Sequence, residues 1–322
     1  MSLPTVSIVV PVLNRPHCIA SCIESLLNQN YPADHLDIIV VDNGSTDNTA
    51  KVVQQYEVKY LLEEKPGSYV ARNRGARLAR GEILAFIDSD CIADANWITE
   101  VVHALTSPRV DAVSGFSRGI NRSIWAEFTQ KYDEIFWTCI KPGDVSLGRI
   151  DTKNFAICQH VFTQLGGFDE SLFYAGDLEF AIRLKKAGCC SMFIPRAQIA
   201  HINPVSLDTK IDIRRRQGFF EYKIVRKHGL EIVRQHVPSF SRIYHRHVFA
   251  DNPLITGLIL PALDLILEIS VSLLSSLLQG LAFLGWRRGL FTIFCIVMDM
   301  AVFQGKIQAR LAECQEDQTW NN

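Results

Sequence analysis

Apolar runs alternate with helical patterns along the first 90 residues of the chain. The runs at 6–10, 36–41, 58–62 and 83–87 have the length and apolar character of buried strands. Apolar residues at helical spacing lie between them, and the clearest helix is predicted over 69–79. This alternation predicts a parallel sheet of the doubly wound kind, with helices on both of its faces.

The pattern is less regular after residue 95. Helices are predicted over 97–105, 124–139 and 211–227, and a short helix is predicted after Asn154, ending at Gly166. Strands are predicted over 110–116 and 191–195. The aromatic-rich helix at 124–139 is interpreted as a packing helix, with a lid or acceptor wall as the alternative. The basic helix at 211–227 presents either a solvated face or a contact surface for anionic lipid. The glycines of the loop at 142–148 would let it move.

Near residue 253 the chain becomes strongly apolar. Residues 269–286 carry no formal charge, and their number is that of a membrane span, roughly 17–25 residues. A second apolar stretch, 289–298, is shorter. We interpret the two as membrane-associated helices that lie in the interface or form a hairpin. A buried helix pair of a soluble domain is the alternative.

Length and composition divide the chain into four predicted segments. With 322 residues it can hold one large domain and an appendage. Residues 1–205 are predicted to form the α/β domain and 206–250 a basic helical linker. Residues 251–306 form the membrane-associated segment, and 307–322 a polar tail that frays.

Charge and cysteine content restrict the partners and the compartment. A formal net charge of −1 argues against a general nucleic-acid binder. The nine cysteines form no CxxC pair, which indicates reduced thiols in a cytosolic compartment. The first residues lack the basic segment and cleavage site of a signal peptide and are interpreted as a strand.

Acidic residues follow two of the predicted strands directly. Asp42 comes after the second strand, and Asp88 and Asp90 come after the fourth. Open α/β sheets bind ligands at the carboxyl ends of their strands, so a hard divalent ion with phosphate oxygens is expected there. Lys65 and Arg72 lie near enough in sequence to face a pyrophosphate. The alternatives are an ordinary acidic turn and a solvated helix face.

Further candidate residues lie at the ends of elements in the second half. Asp177 begins a predicted helix, whose amino-terminal amides favour a carboxylate, and Glu179 follows in the first turn. The alternative for both is helix capping, worth roughly 1 kcal/mol. His201 follows a short apolar segment, and a lone histidine of this kind is more often structural than a ligand.

Four motifs, in this order, carry a resemblance to a known family. They are SIVVPVLNR at 7–15, IIVVDNGSTDNT at 38–49, ARNRGARLARGEILAFIDSDC at 71–91 and GGFDESLFYAGDLEFAIRLKKAG at 166–188. Over roughly residues 5–205 the chain resembles a family-2 glycosyltransferase of the GT-A fold. The resemblance implies an α/β fold, with a Rossmann-like, mostly parallel central sheet flanked by helices. The C-terminal apolar helices resemble those of members with membrane segments.

The resemblance also implies roles on the donor side of the site. Pro11 and Asp42 match positions that hold the base and ribose of a nucleotide-sugar donor. Asp88 and Asp90 match the DxD acids, of which the second binds the divalent metal, Mg or Mn, that bridges the diphosphate. His201 falls where some members have a histidine near the metal.

On the acceptor side, Asp177 matches the catalytic base of the family's Glu-Asp pair. The first position of that pair is Gly176 here, which departs from the family pattern. Glu179 matches the usual downstream acid, and Asn154 is a weaker acceptor-side candidate.

The activity implied by this resemblance is inverting transfer of a sugar from a nucleotide-diphosphate donor to a hydroxyl acceptor. A polysaccharide or lipid-linked acceptor would suit a chain attached to the cytoplasmic side of the cell membrane. Gly176 favours one alternative, a non-catalytic, membrane-attached nucleotide-sugar-binding protein. A sugar-phosphate nucleotidyltransferase is a further alternative, but the glycine-rich loop of such enzymes is absent after the first strand.

Overall fold

The computed structural model describes residues 3–138, 150–229, 232, 258–283 and 289–319. One sheet contains eight strands, which are β1 (Val6–Val12), β2 (Leu36–Asp42), β3 (Lys59–Leu62), β4 (Ile83–Ile87), β5 (Cys91–Ala93), β6 (Ala112–Gly119), β7 (Asn154–Cys158) and β8 (Ser191–His201). The helices of the described residues are α1 (Pro16–Leu27), α2 (Thr49–Val53), α3 (Ser68–Leu78), α4 (Trp97–Leu105), α5 (Ile124–Thr138), α6 (Gln159–Gln164), α7 (Gly176–Lys186), α8 (Leu207–His228), α9 (Leu260–Phe283) and α10 (Leu290–Thr319).

The first half of the sheet confirms the predicted parallel arrangement. The strand order is β3-β2-β1-β4-β7-β6-β8-β5, and the first four strands pair in parallel. Strands β1 and β4 are fully buried because helices cover both faces of the sheet. This is a mixed α/β fold with helices on either side of one sheet.

The second half differs from the prediction in three strands. Asn154 lies in β7, a strand that the sequence did not predict, which precedes the predicted short helix α6 and pairs antiparallel with β4 and β6. The short strand β5 was not predicted. The strand predicted over 191–195 continues to His201 as β8, whose register with β6 shifts between Gly115 and Phe116. This irregularity accommodates Pro195, which has no N–H to donate to a regular ladder.

The chain divides into two compact units. The first contains Met1–Ile120 and Trp137–Ile202, and the second contains Asn121–Phe136 and Asn203–Asn322. The predicted first domain, 1–205, therefore differs at helix α5, most of which belongs to the second unit. The reason is aromatic packing within that unit, where the ring centroids of Phe128 and Phe294 lie 5.6 Å apart.

Helices α8 and α10 form the closest pair of the second unit. A Cβ on Gly218 would lie 1.9 Å from the carbonyl oxygen of Val302, and one on Gly305 would lie 1.9 Å from that of Arg215. Only glycine permits this approach of the two backbones. The side chain of Lys306 is buried and lies 2.9 Å from Glu221.

These contacts correct the prediction of a frayed tail after residue 306. Helix α10 continues to Thr319, because Arg310 and the α8 residues Tyr222 and Arg226 all bond to Glu313. Two helices, α9 and α10, are long and apolar enough to cross a membrane. The predicted loop at 142–148 and most of the 206–250 linker beyond α8 lie outside the described residues.

Candidate active site

The loops after β1 and β2 meet at the carboxyl edge of the sheet. Pro11 is buried near the end of β1, and Asp42 at the end of β2 pairs with Val12. The Asn14 N–H donates to Ser45 Oγ at 2.9 Å, which ties the two loops together. The Asp42 carboxylate is buried and accepts from the Ser45 N–H at 2.8 Å and from Tyr60 Oη at 3.0 Å. Each Asp42 oxygen thus accepts one hydrogen bond and keeps capacity for a second.

Burial and the Asp42 carboxylate raise the pKa of Tyr60 to about 12. Tyr60 therefore keeps its proton at neutral pH and acts as a hydrogen-bond donor to Asp42. This bond holds the carboxylate at the strand end in a fixed orientation.

The pairing of β5 with β8 brings Asp90 to His201. Cys91 of β5 is opposite His201 in the antiparallel register, and Asp90 directly precedes that pair. His201 Nε2 lies 3.7 Å from Asp90 Oδ1, and their side chains are 18% and 22% exposed. Burial raises the pKa of Asp90 and Asp88 adds to this effect, whereas His201 and Arg15 oppose it.

The donor atoms of Asp90, Cys91 and His201 lie within 4.8 Å of one another. Burial, with Asp88 and Asp90 nearby, raises the pKa of the Cys91 thiol well above its ordinary value, so without a metal it is a neutral thiol. Sulfur is also a poor ligand for ions such as Mg²⁺ and Mn²⁺, which prefer oxygen. A carboxylate and an imidazole remain, both partly exposed. Such a set fits a divalent ion that takes its other ligands from water and phosphate oxygens.

Helix α3 turns one face towards the acids of the site. The guanidinium of Arg72 is buried and paired with Asp88, and its Cζ lies 5.4 Å from the centroid of the Tyr69 ring. Burial alone would lower the pKa of Arg72, but Asp88 and Tyr69 more than offset this, so its pKa is raised. Arg72 is therefore a permanent cation that neutralises Asp88 from within the protein.

Asp177 lies in the first turn of α7, next to Tyr69. The Asp177 N–H donates to Tyr69 Oη at 3.2 Å. A Cβ on Gly176 would lie 2.5 Å from the Tyr69 ring, so the tyrosine fills the space that a side chain at 176 would need. Sequence reasoning missed Tyr69, and the one signal that could have pointed to it is the glycine at a position where the family has an acid.

Three predicted residues have partners that explain them structurally. Asn154 is buried in β7 and bonds Trp97 Nε1 and the carbonyls of Phe116 and Ala197. Glu179 has a fully buried side chain held by Arg183. Neither side chain exposes a surface to an acceptor. Lys65 is exposed and pairs with Glu170 at 2.7 Å.

Comparison with known proteins shows what the chain is similar to. Residues 7–163 match the model of the family described as glycosyl transferase family 2. A glycosyltransferase from Haloferax volcanii, AglE, is 31% identical over 201 residues, which are 58% of this chain and 63% of that protein. The chain thus spans less than two thirds of the length of this relative.

Solved structures share the fold at low sequence identity. A mannosyltransferase from Pyrobaculum calidifontis, in complex with GDP-Man and Mn²⁺, matches with a TM-score of 0.66 and 20% identity, over 96% of this chain and 87% of its own. Residues 1–349 of S. aureus TarS with UDP-GlcNAc match with a TM-score of 0.56 and 16% identity, over 95% and 91%. Residues 7–163 thus match glycosyl transferase family 2, and the chain shares a GT-A-like fold with these solved glycosyltransferases.

Proposed function

We propose that the chain transfers a sugar from a nucleoside-diphosphate donor to a hydroxyl acceptor, with inversion at the anomeric carbon. The observation that carries the proposal is the 3.7 Å approach of Asp90 and His201 at the strand ends, beside the buried Arg72–Asp88 pair. Asp90 follows the end of β4, and His201 ends β8, which is distant in sequence. The two side chains thus supply two partly exposed ligands. Solved neighbours with Mn²⁺ and nucleotide sugars support the same assignment.

Asp90 and His201 would hold a divalent ion, Mg²⁺ or Mn²⁺, together with the diphosphate. When bound, such an ion stabilises the negative charge that develops on the departing diphosphate. Arg72 fixes Asp88 in place, and the exposed Lys65, which pairs with Glu170, would turn towards the phosphates. Pro11 and Asp42 border the space for the nucleoside.

Asp177 is the proposed general base. An acceptor hydroxyl is a poor nucleophile until a positioned base removes its proton. With one base and direct displacement of the diphosphate, no covalent glycosyl-enzyme forms and the anomeric configuration inverts. Asp177 is favoured over Glu179 because the latter is fully buried against Arg183.

The test is release of nucleoside diphosphate from UDP-GlcNAc and GDP-Man, the sugars bound by the structural neighbours, with Mn²⁺ and without it. We expect slow metal-dependent hydrolysis of at least one donor, and faster release when an acceptor is added. Donor binding without any release over a wide set of sugars would instead support the non-catalytic binding protein.

We further propose that α9 attaches the chain to one leaflet of a membrane, on its cytoplasmic side. Its outward residues Leu265, Ile269 and Leu273 are each more than half exposed, whereas α10 is largely buried and pairs its charges with α8. A helix with one apolar face suits the interface between headgroups and acyl chains. The acceptor would then be a lipid-linked or polysaccharide chain at that surface.

A further inference from the structure

We propose that Tyr69 is a positioning residue for Asp177. Its hydroxyl caps α7 from the distant helix α3 and so takes the place of the missing acid at position 176. This inference rests on the proposed function, because it assigns Tyr69 a part in the same base. Tyr69 and Asp177 are 108 residues apart and meet only through the fold.

The N-cap residue of α7 provides no side-chain cap, and within the first turn the Asp177 carboxylate accepts from the Leu178 N–H at 2.8 Å. The first N–H groups of a helix have no partner within it and are usually met by a side chain at the N-cap. That position is Ala175, which has no polar side chain and adopts a left-handed φ of 59°. Tyr69 Oη accepts from the Asp177 N–H at 3.2 Å and thus supplies the cap from α3.

The ring of Tyr69 and the glycine at 176 depend on each other. The Cβ of any other residue at 176 would lie 2.5 Å from Tyr69 Cε2 and 2.6 Å from Cζ. The ring is buried and packs on Phe168, with ring centroids 5.5 Å apart, so it has little room to retreat. The absence of a side chain at 176 therefore makes room for the Tyr69 ring, and the tyrosine compensates for that missing side chain.

Tyr69 also connects the base with the donor side. Arg72, one turn further along α3, lies against the Tyr69 ring and pairs with Asp88. Burial, and then the charge of Asp177, raise the pKa of Tyr69, so it stays a neutral hydroxyl. One face of α3 thereby holds Asp177 and Asp88 in a fixed arrangement. Proton transfer from a bound acceptor needs such precise positioning.

The test compares Tyr69→Phe with Tyr31→Phe, a control that removes a hydroxyl bonded to the Pro4 carbonyl. Tyr69→Phe keeps the ring against Gly176 but removes the cap. We expect kcat to fall about tenfold, a loss of about 1.4 kcal/mol of transition-state stabilisation. We expect Mn²⁺-dependent binding of the donor to stay within twofold and the control to match wild type. Gly176→Ala, which pushes the ring, should lower kcat in the same way.

Other outcomes would show which part of the proposal fails. Wild-type kcat in Tyr69→Phe would overturn the proposal, as would a parallel loss of kcat and donor binding, which indicates a general structural role. If Asp177→Asn retains wild-type turnover, the base assignment itself fails. If no donor is turned over by the wild type, the proposed function fails. These two results are distinct from a failure confined to Tyr69.

Discussion

Two regions of this chain place a carboxylate beside a nitrogen base, and they do so differently. In the second unit, Lys306 and Glu221 lie 2.9 Å apart with side chains only 2% and 13% exposed. At the sheet edge of the first unit, Asp90 and His201 lie 3.7 Å apart and are more exposed. In the pair of helices α8 and α10, the two charged groups bind each other. The sheet edge instead keeps a carboxylate and an imidazole accessible to a ligand.

The same contrast occurs within α7. Glu179 is held by both oxygens against Arg183, whose guanidinium also bonds the carbonyls of Leu165 and Gly167. Asp177, two residues earlier, is only partly buried. An acid in a family motif is therefore a chemical candidate only where its partners leave it accessible.

The largest effect is expected at the proposed base. Asp177→Asn keeps the shape of the side chain but removes its ability to accept a proton, so kcat should fall by about 10² to 10⁴, the usual contribution of general-base catalysis. Asp34→Asn, at an exposed side chain, is the control. Steady-state release of nucleoside diphosphate measures both. Unchanged turnover in Asp177→Asn would remove the contrast between Asp177 and Glu179.

A substitution in the pair of helices α8 and α10 should lower the free energy of unfolding instead of kcat. Lys306→Met leaves Glu221 buried without its cation and should cost about 3 kcal/mol in the free energy of unfolding. Urea denaturation measures this loss. The double variant Glu221→Leu/Lys306→Met should recover most of it, because a buried ion pair can be replaced by apolar packing. Equal losses in both variants would contradict the interpretation of a self-contained pair.

These expectations separate what the sequence could predict from what it could not. The parallel strands and the acids at Asp42 and Asp90 follow from short apolar runs that end in carboxylates, a local pattern. Strand β7 is a five-residue segment whose place between β4 and β6 depends on distant partners. The contact of Tyr69 with Asp177 likewise spans 108 residues, and no periodicity encodes it.

A smaller effect is expected at the surface of α9. Leu273→Glu places a charge on the exposed apolar face and should weaken binding to vesicles that contain anionic lipid about tenfold. Flotation of the full chain measures the bound fraction. Lys51→Glu, an exposed site on the first unit, is the control for charge alone. Equal flotation of wild type and Leu273→Glu would count against α9 as the attachment.

The central claim concerns Asp90 and His201 as ligands of a divalent ion with a diphosphate. Calorimetric titration of UDP and GDP into wild type and Asp90→Asn, with Mn²⁺ and with EDTA, tests it most directly. We predict that wild type binds at least one nucleotide at least tenfold more tightly with Mn²⁺, and that Asp90→Asn loses this gain while its metal-free affinity is unchanged. Identical Mn²⁺-dependent affinities in the two proteins would contradict the claim.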